Sequence, residues 1–335
     1  MGGGPDDEHR SAGSHGNPGK GLRQPVRRAT PSSAPDRLRH LPGVNVASPF
    51  DLADPRTYAE WRARKLDERP LRADDLIVAV RDPRALTPAE HAALLARVHR
   101  CNMAIYQSPV TGDDPQVPRQ LGAQFGLRQL DANWLSEEDG LSRISVHGTG
   151  TTVTYIPYTD RAIKWHTDGY YNPPERLIQG MLLHCVRNAP WGGENRLMDH
   201  ELAYLHLRER DPEHIRALMQ PDAMVIPERV DEQDGVRPPQ AGPVFSVTAE
   251  GRLHMRYTAR TRSIAWKADE RTRAAVAALE DLLEHPPQSA VFRVHLEPGM
   301  GLLCNNVLHD RSAFRDDPQH PRLLYRARYL DRIRD

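Results

Sequence analysis

The chain has 335 residues, enough for one large domain or two ordinary ones with a sizeable core. Lys plus Arg and Asp plus Glu number 45 each, so the formal charge is zero and no global basic field favours nucleic acid or an anionic membrane. Cys101, Cys185 and Cys304 are too few and too scattered for a disulfide framework or a zinc ribbon, and read as reduced core residues of a cytoplasmic protein. Apolar runs such as Gly180-Met181-Leu182-Leu183 are far too short to span a bilayer, and the N-terminal segment lacks the apolar stretch of a secretion signal.

Residues 1–45 are rich in Gly, Pro, Ser, Arg and His and nearly devoid of large apolar side chains. Such a segment cannot bury enough surface to offset its ordering entropy, so a disordered tail is expected there. A single domain is expected over 46–335, with a helical and strand region at 46–139 and the main core at 140–332. Asp54-Pro55 followed by Tyr58, Trp61 and Leu66 predicts a capped amphipathic helix. Residues 75–80 read as a strand. Thr87-Pro88-Ala89-Glu90 sets N-cap, N1 proline and N3 glutamate in order and opens a helix running to about Arg100. Residues 103–107 are strand-like again. From Ile144 the texture changes to short strands, expected at 151–157, 177–186, 195–198, 221–226, 243–248, 252–257, 290–297, 300–305 and 322–330. Helices are expected over 199–218 and 269–284. Many short strands with a few helices imply a mainly β, α+β jelly roll rather than a βαβ sheet. Gly148-Thr149-Gly150 lacks the remainder of a nucleotide-binding loop.

The chemistry concentrates in His166-Thr167-Asp168 and in His309 of Asn305-Asn306-Val307-Leu308-His309. In extended chain, positions i and i+2 point to the same side, so His166 and Asp168 can grip one ion while Thr167 turns away. His309 completes the set if its strand lies opposite. One carboxylate and two imidazoles occupy one face of an octahedral metal and leave the other open, a ligand set suited to non-haem Fe(II) and O2.

The neighbourhood carries a resemblance. Trp165-His166-Thr167-Asp168-Gly169-Tyr170 leads through Pro173-Pro174 to Met181-Leu182-Leu183-His184-Cys185, then to Gly192-Gly193-Glu194-Asn195. Pro298-Gly299-Met300-Gly301 then leads to His309. Over about 140–332 this order resembles the Fe(II)/2-oxoglutarate dioxygenases of the taurine dioxygenase and gamma-butyrobetaine hydroxylase superfamily, and the betaine hydroxylase branch most. The resemblance implies a double-stranded β-helix of the cupin-like jelly-roll kind. It implies Fe(II) as metal, 2-oxoglutarate as co-substrate and O2 as oxidant, with succinate and CO2 released. His166, Asp168 and His309 are the implied ligands. In His320-Pro321-Arg322-Leu323-Leu324-Tyr325-Arg326-Ala327-Arg328, Arg322 is implied to hold the distal carboxylate of 2-oxoglutarate, for which a guanidinium fork is suited. Arg326 is implied to meet substrate or the metal-proximal carboxylate, and Arg328 reads as structural or solvated. Asn195 stands where relatives often have a threonine that shares the distal carboxylate, and its amide could donate a similar bond. Halogenating relatives lack the carboxylate of Asp168, so its presence favours hydroxylation or desaturation.

Tyr155, Tyr158, Trp165, Tyr170 and Tyr171 crowd the first ligands. Aromatic faces can enclose a quaternary ammonium, and they can equally pack the mouth of the roll. Arg326 and Lys164 favour an anionic group instead. A small zwitterion, betaine-like or amino-acid-like, satisfies both, with Tyr158, Tyr170, Tyr171 and Arg326 as its candidate contacts. His184 reads as a core residue, Asn305 and Asn306 as braces of the second-histidine turn, and Asp199 as a helix cap. Two other functions use the same residues, a zinc-dependent hydrolase and a 2-oxoglutarate-binding sensor without turnover. A small-molecule substrate is expected, without nucleic acid or membrane partners, and a homodimer is compatible with the sequence.

Overall fold

The computed structural model describes residues 48–131, 140–146, 156–231 and 235–334. The expected tail at 1–45 lies outside them, as do Tyr155 and most of the strand expected at 151–157. Residues Ile156–Tyr158 form a short 3-10 turn rather than the end of a strand.

Six helices are α1 Pro55–Asp67, α2 Pro88–Cys101, α3 Gln116–Gln124, α4 His200–Arg210, α5 Pro212–Leu218 and α6 Glu270–Glu284. Their starts follow local chemistry. Asp54 accepts from the Thr57 amide, and Thr87 with Glu90 closes a reciprocal capping box ahead of Pro88. The single helix expected over 199–218 is two, because Asp211 leaves helical geometry and caps a fresh start at Pro212. Helix α3 was not expected; Pro118 and Gly122 within it weaken its helical pattern.

Ten strands build two facing sheets. They are β1 Ile77–Ala79, β2 Met103–Gln107, β3 Leu141–Ile144, β4 Ile163–His166, β5 Gly180–Arg187, β6 Asn195–Met198, β7 Phe292–Val294, β8 Met300–Cys304, β9 Leu308–Arg311 and β10 Leu323–Tyr329. The larger sheet runs β1-β2-β8-β5-β10-β3 and the smaller β7-β6-β9-β4. Only the β1–β2 pair in these two sheets is parallel. Separate short antiparallel pairs include Trp191–Gly192 against Phe314–Arg315.

Alternation along the strands sorts the core into layers. Met181, Leu183, Leu302 and Leu324 face Leu197, Phe292 and Val294 between the sheets. Leu182, Leu303, Tyr325 and Ala327 point outward under Leu94, Val98 and Leu121 of α2 and α3. On the far side of the smaller sheet, Trp165, Met198 and Leu308 join α4, α5 and α6. Trp165 and Leu308 immediately precede His166 and His309. Slipping β4 or β9 by one residue would bury a histidine in that apolar layer and expose a Trp or Leu, so burial fixes the register. All three cysteines are buried and free. Among the described residues no helix is long and apolar enough to cross a membrane.

Candidate metal and co-substrate site

Strands β4 and β9 pair antiparallel with His309 directly opposite His166. The two rings lie 4.2 Å apart between centroids. Asp168 sits just past β4, its Oδ1 3.6 Å from His166 Nε2, and one ligand atom from each of the three lies within 4.8 Å of the others. Thr167 turns away as expected: its amide donates to the Tyr257 carbonyl and its hydroxyl accepts from the Tyr257 amide. Gly169 then takes a positive φ of 67°, and a Cβ there would come within 2.3 Å of Ile178 Cγ1. Only glycine makes this turn cheaply.

The histidine tautomers follow from their partners. Nδ1 of His166 lies 2.9 Å from the Lys164 carbonyl, and Nδ1 of His309 lies 2.9 Å from the Val307 carbonyl. A carbonyl only accepts, so each Nδ1 carries the proton and each Nε2 keeps a lone pair for a metal. Burial, followed by the neighbouring His166, pushes His309 down to about 4, which keeps it neutral near pH 7. For Asp168, burial favours the neutral acid. The Arg326 guanidinium, with Arg328 farther off, outweighs it and holds the carboxyl well below its ordinary range. Arg326 reaches Asp168 Oδ1 at 3.2 Å, while Oδ2 is buried without a partner. Two neutral imidazoles and an ionised carboxylate with a spare oxygen fit a divalent cation.

Asn306 supports this turn in a way the sequence reading placed elsewhere. It was expected to brace the second-histidine loop, and its side chain grips Asp168 instead. Its Oδ1 accepts from the Asp168 amide at 2.8 Å, and its Nδ2 donates to the Asp168 and Ile178 carbonyls at 3.0 and 2.7 Å. Asn306 itself holds φ at +51°, a conformation asparagine tolerates better than most residues. Asn305 bonds instead to Asn102.

Beside the triad, a cavity between the sheets is lined by His166, His309, Asn195, Arg311, Arg322 and Arg326. Arg322, just before β10, lines it together with Leu324 and Arg326, the alternation expected of this segment. Arg322 is 4% exposed and Arg326 9%. Four residues of this lining each have a buried polar atom without a hydrogen-bond partner, Asn195 Oδ1, Arg311 Nε, Arg322 Nε and Arg326 Nε, and Asp168 Oδ2 in the adjoining triad lacks one too. Folded proteins leave few such groups, so their convergence on one cavity marks a place for a ligand. Cationic donors predominate, which suits a dicarboxylate.

The other expected residues are placed differently. Asn195 lines the cavity; its amide nitrogen donates one hydrogen to the Asp310 carbonyl at 2.9 Å, and its Oδ1 is left without a partner. Tyr158 is buried at 3%, and its neighbour Pro157 reaches the cavity lining. Tyr170 and Tyr171 meet edge to face and pack on the helical core. Trp165 turns to that core too, donating to the Leu283 carbonyl under the Arg196 guanidinium. Lys164 is exposed. Arg328 is not solvated: it is 3% exposed, pairs with Asp131 at 2.9 Å and donates to the Tyr171 hydroxyl. His184 is a core residue, 2.8 Å from the Tyr106 hydroxyl. Asp199 caps α4 and also meets buried Lys65. Arg311 was missed. Its signal was its position two residues past His309 on the same strand, which aims both side chains at one face.

A jelly roll with two histidines and an aspartate at its mouth, beside an arginine-lined cavity, is the architecture of a non-haem iron oxygenase. Residues 39–328 match the taurine catabolism dioxygenase TauD, TfdA family, and the chain belongs to that family of Fe(II)/2-oxoglutarate-dependent enzymes. A uridine-5'-phosphate dioxygenase from Amycolatopsis sp is 32% identical over 171 residues, covering 50% of this chain and 60% of that enzyme, so the match spans less than two thirds of its length. One from Streptomyces sp is 32% identical over 233 residues, covering 67% of this chain and 84% of that enzyme. A taurine dioxygenase structure from Burkholderia xenovorans shares the fold, with a TM-score of 0.51 and 21% identity over 80% of this chain and 90% of that one.

Proposed function

We propose that the chain uses Fe(II), 2-oxoglutarate and O2 to oxidise a C–H bond of a small anionic molecule, with uridine-5'-phosphate or a similar nucleoside 5'-phosphate as the first candidate. The observation that carries the reading is the meeting of His166, Asp168 and His309 beside a cavity lined by three buried arginines, of which, among the described residues, Arg326 alone has a carboxylate within 4 Å, that of Asp168. His166, Asp168 and His309 hold the metal. Arg322 takes the distal carboxylate of 2-oxoglutarate, and Arg326 steadies Asp168 while presenting charge beside the metal. When bound, iron and 2-oxoglutarate together supply the oxidising power, with succinate and CO2 as co-products. The chain's share is orientation and dryness. Ile144, Leu183 and Leu324 wall the cavity with hydrocarbon, which strengthens each charged contact within it.

Two observations favour an anionic substrate over a betaine. Both uridine-5'-phosphate dioxygenases are 32% identical to the chain. One ring of the aromatic set expected for an ammonium is already engaged by cations: the Arg237 guanidinium lies 5.3 Å from the Tyr171 ring centroid, and Arg328 donates to the Tyr171 hydroxyl. Succinate release measured with uridine-5'-phosphate, uridine and gamma-butyrobetaine tests this. Turnover stimulated by uridine-5'-phosphate well above that by uridine supports the reading. Stimulation by the betaine alone restores the zwitterion. Silence across a broad substrate panel despite 2-oxoglutarate binding identifies a sensor, and metal-dependent hydrolysis without O2 a hydrolase.

A further inference from the structure

We propose that Arg311 is a second anchor for the distal carboxylate of 2-oxoglutarate, acting with Arg322 in the place expected of Asn195. The inference rests on the 2-oxoglutarate reading above.

Arg311 follows His309 by two residues on β9, and the β9–β6 register sets it directly opposite Asn195. Both line the cavity with Arg322. Asn195 spends one N–H of its amide on the Asp310 carbonyl, and its Oδ1 is the atom left without a partner, so it has at most one donor for the cavity. A cationic donor beside Arg322 suits the second oxygen of a carboxylate better.

Arg311 has one to give. It is 5% exposed, and its two terminal nitrogens are committed to the carbonyls of Pro157, Thr159 and Arg161 at 3.3, 2.7 and 2.6 Å. Those bonds fix the guanidinium and leave Nε buried without a partner. Arg322 Nε is in the same condition. The two guanidiniums lie 4.7 and 5.0 Å from the centroid of one ring, Phe314, which spaces the cations and holds both beside the cavity.

Charge points the same way. No carboxylate among the described residues lies within 4 Å of either guanidinium. A bound dicarboxylate relieves both cations.

The test is calorimetric titration of metal-loaded protein without O2, using 2-oxoglutarate and 2-oxopentanoate, the same chain without the distal carboxylate. In Arg311→Gln, 2-oxoglutarate should bind roughly tenfold or more weakly, while 2-oxopentanoate binds as in the wild type. Arg311→Lys, which keeps the charge and is the fallback if the glutamine variant misfolds, should lose affinity for 2-oxoglutarate less severely, again without change for 2-oxopentanoate. Equal weakening of both ligands would make Arg311 only a strap for the 157–161 segment and overturn the proposal. Unchanged 2-oxoglutarate affinity would overturn it too. Arg322→Ala separates the two readings: if it leaves 2-oxoglutarate binding intact, the co-substrate assignment itself fails, whereas a loss there with none in the Arg311 variants defeats only this proposal.

Discussion

His166 and His309 are cross-strand partners, one at the end of β4 and one near the start of β9. Each is oriented by its own strand's carbonyl two residues back, and neither needs the other or a metal to hold its rotamer. The site is therefore preorganised by β pairing rather than by the ion. Replacing His309 with alanine should remove metal binding, read by calorimetry, and leave the cooperative unfolding transition of metal-free protein in place. Loss of that transition would show that the imidazole is a structural prop.

The Asn306 grip makes a sharper demand. Asn306→Ala removes an acceptor from the Asp168 amide and donors from two buried carbonyls. The expected cost is about 2–4 kcal/mol of stability. Faster metal dissociation should accompany it, because the chain carrying Asp168 is released. Denaturant midpoints and chelator-driven metal release measure the two separately, and unchanged release would free Asp168 from dependence on Asn306.

Arg322 and Arg328 sit on one short stretch and should behave oppositely. Arg328 and Arg176 both pair with buried Asp131, so Arg328→Ala leaves that carboxylate with one guanidinium and should cost about 1.5–3 kcal/mol in chemical denaturation. Among the described residues Arg322 has no carboxylate partner within ion-pair distance. Arg322→Ala should raise the 2-oxoglutarate requirement with little change in the unfolding midpoint. The reverse pattern would exchange their roles.

Acid should weaken the fold through buried neutral histidines. Burial pushes His184 down to about 4, and burial with the neighbouring His200 pushes His254 down to about 3. Between those values and the ordinary 6.5, the unfolded chain binds protons that the folded chain refuses. Stability present above pH 6.5 is therefore lost as pH falls, with a slope approaching about 1.4 kcal/mol per pH unit for each histidine. Urea unfolding of metal-free protein at pH 7, 6 and 5 checks this, and a flat profile would place charges near these rings that offset their burial.

The triad was legible because β structure makes i and i+2 neighbours, so His166 and Asp168 announced themselves in three letters. Arg322 and Arg326 were singled out by the family resemblance, and alternation around Leu323 set them on one face. The helix starts at Pro55 and Pro88 were written in their caps. What escaped notice depends on partners far along the chain. Arg311, two residues past His309, faces Asn195 through strand register, and one N–H of the Asn195 amide goes to a carbonyl from another strand. Asn306 bonds across to Asp168, which no local spacing reveals. Aromatic density near the ligands was visible, but the direction of each ring was not: Trp165 faces the helices because the strand that aims His166 inward must aim its neighbour outward.

The most direct measurement is succinate formed from 2-oxoglutarate under O2 by wild-type protein and by His309→Ala, each titrated with Fe(II). The wild type should release succinate in proportion to bound iron until about one ion per chain is reached, and His309→Ala should release none above the iron-only control. Iron-dependent succinate release by His309→Ala at the wild-type level would contradict the account.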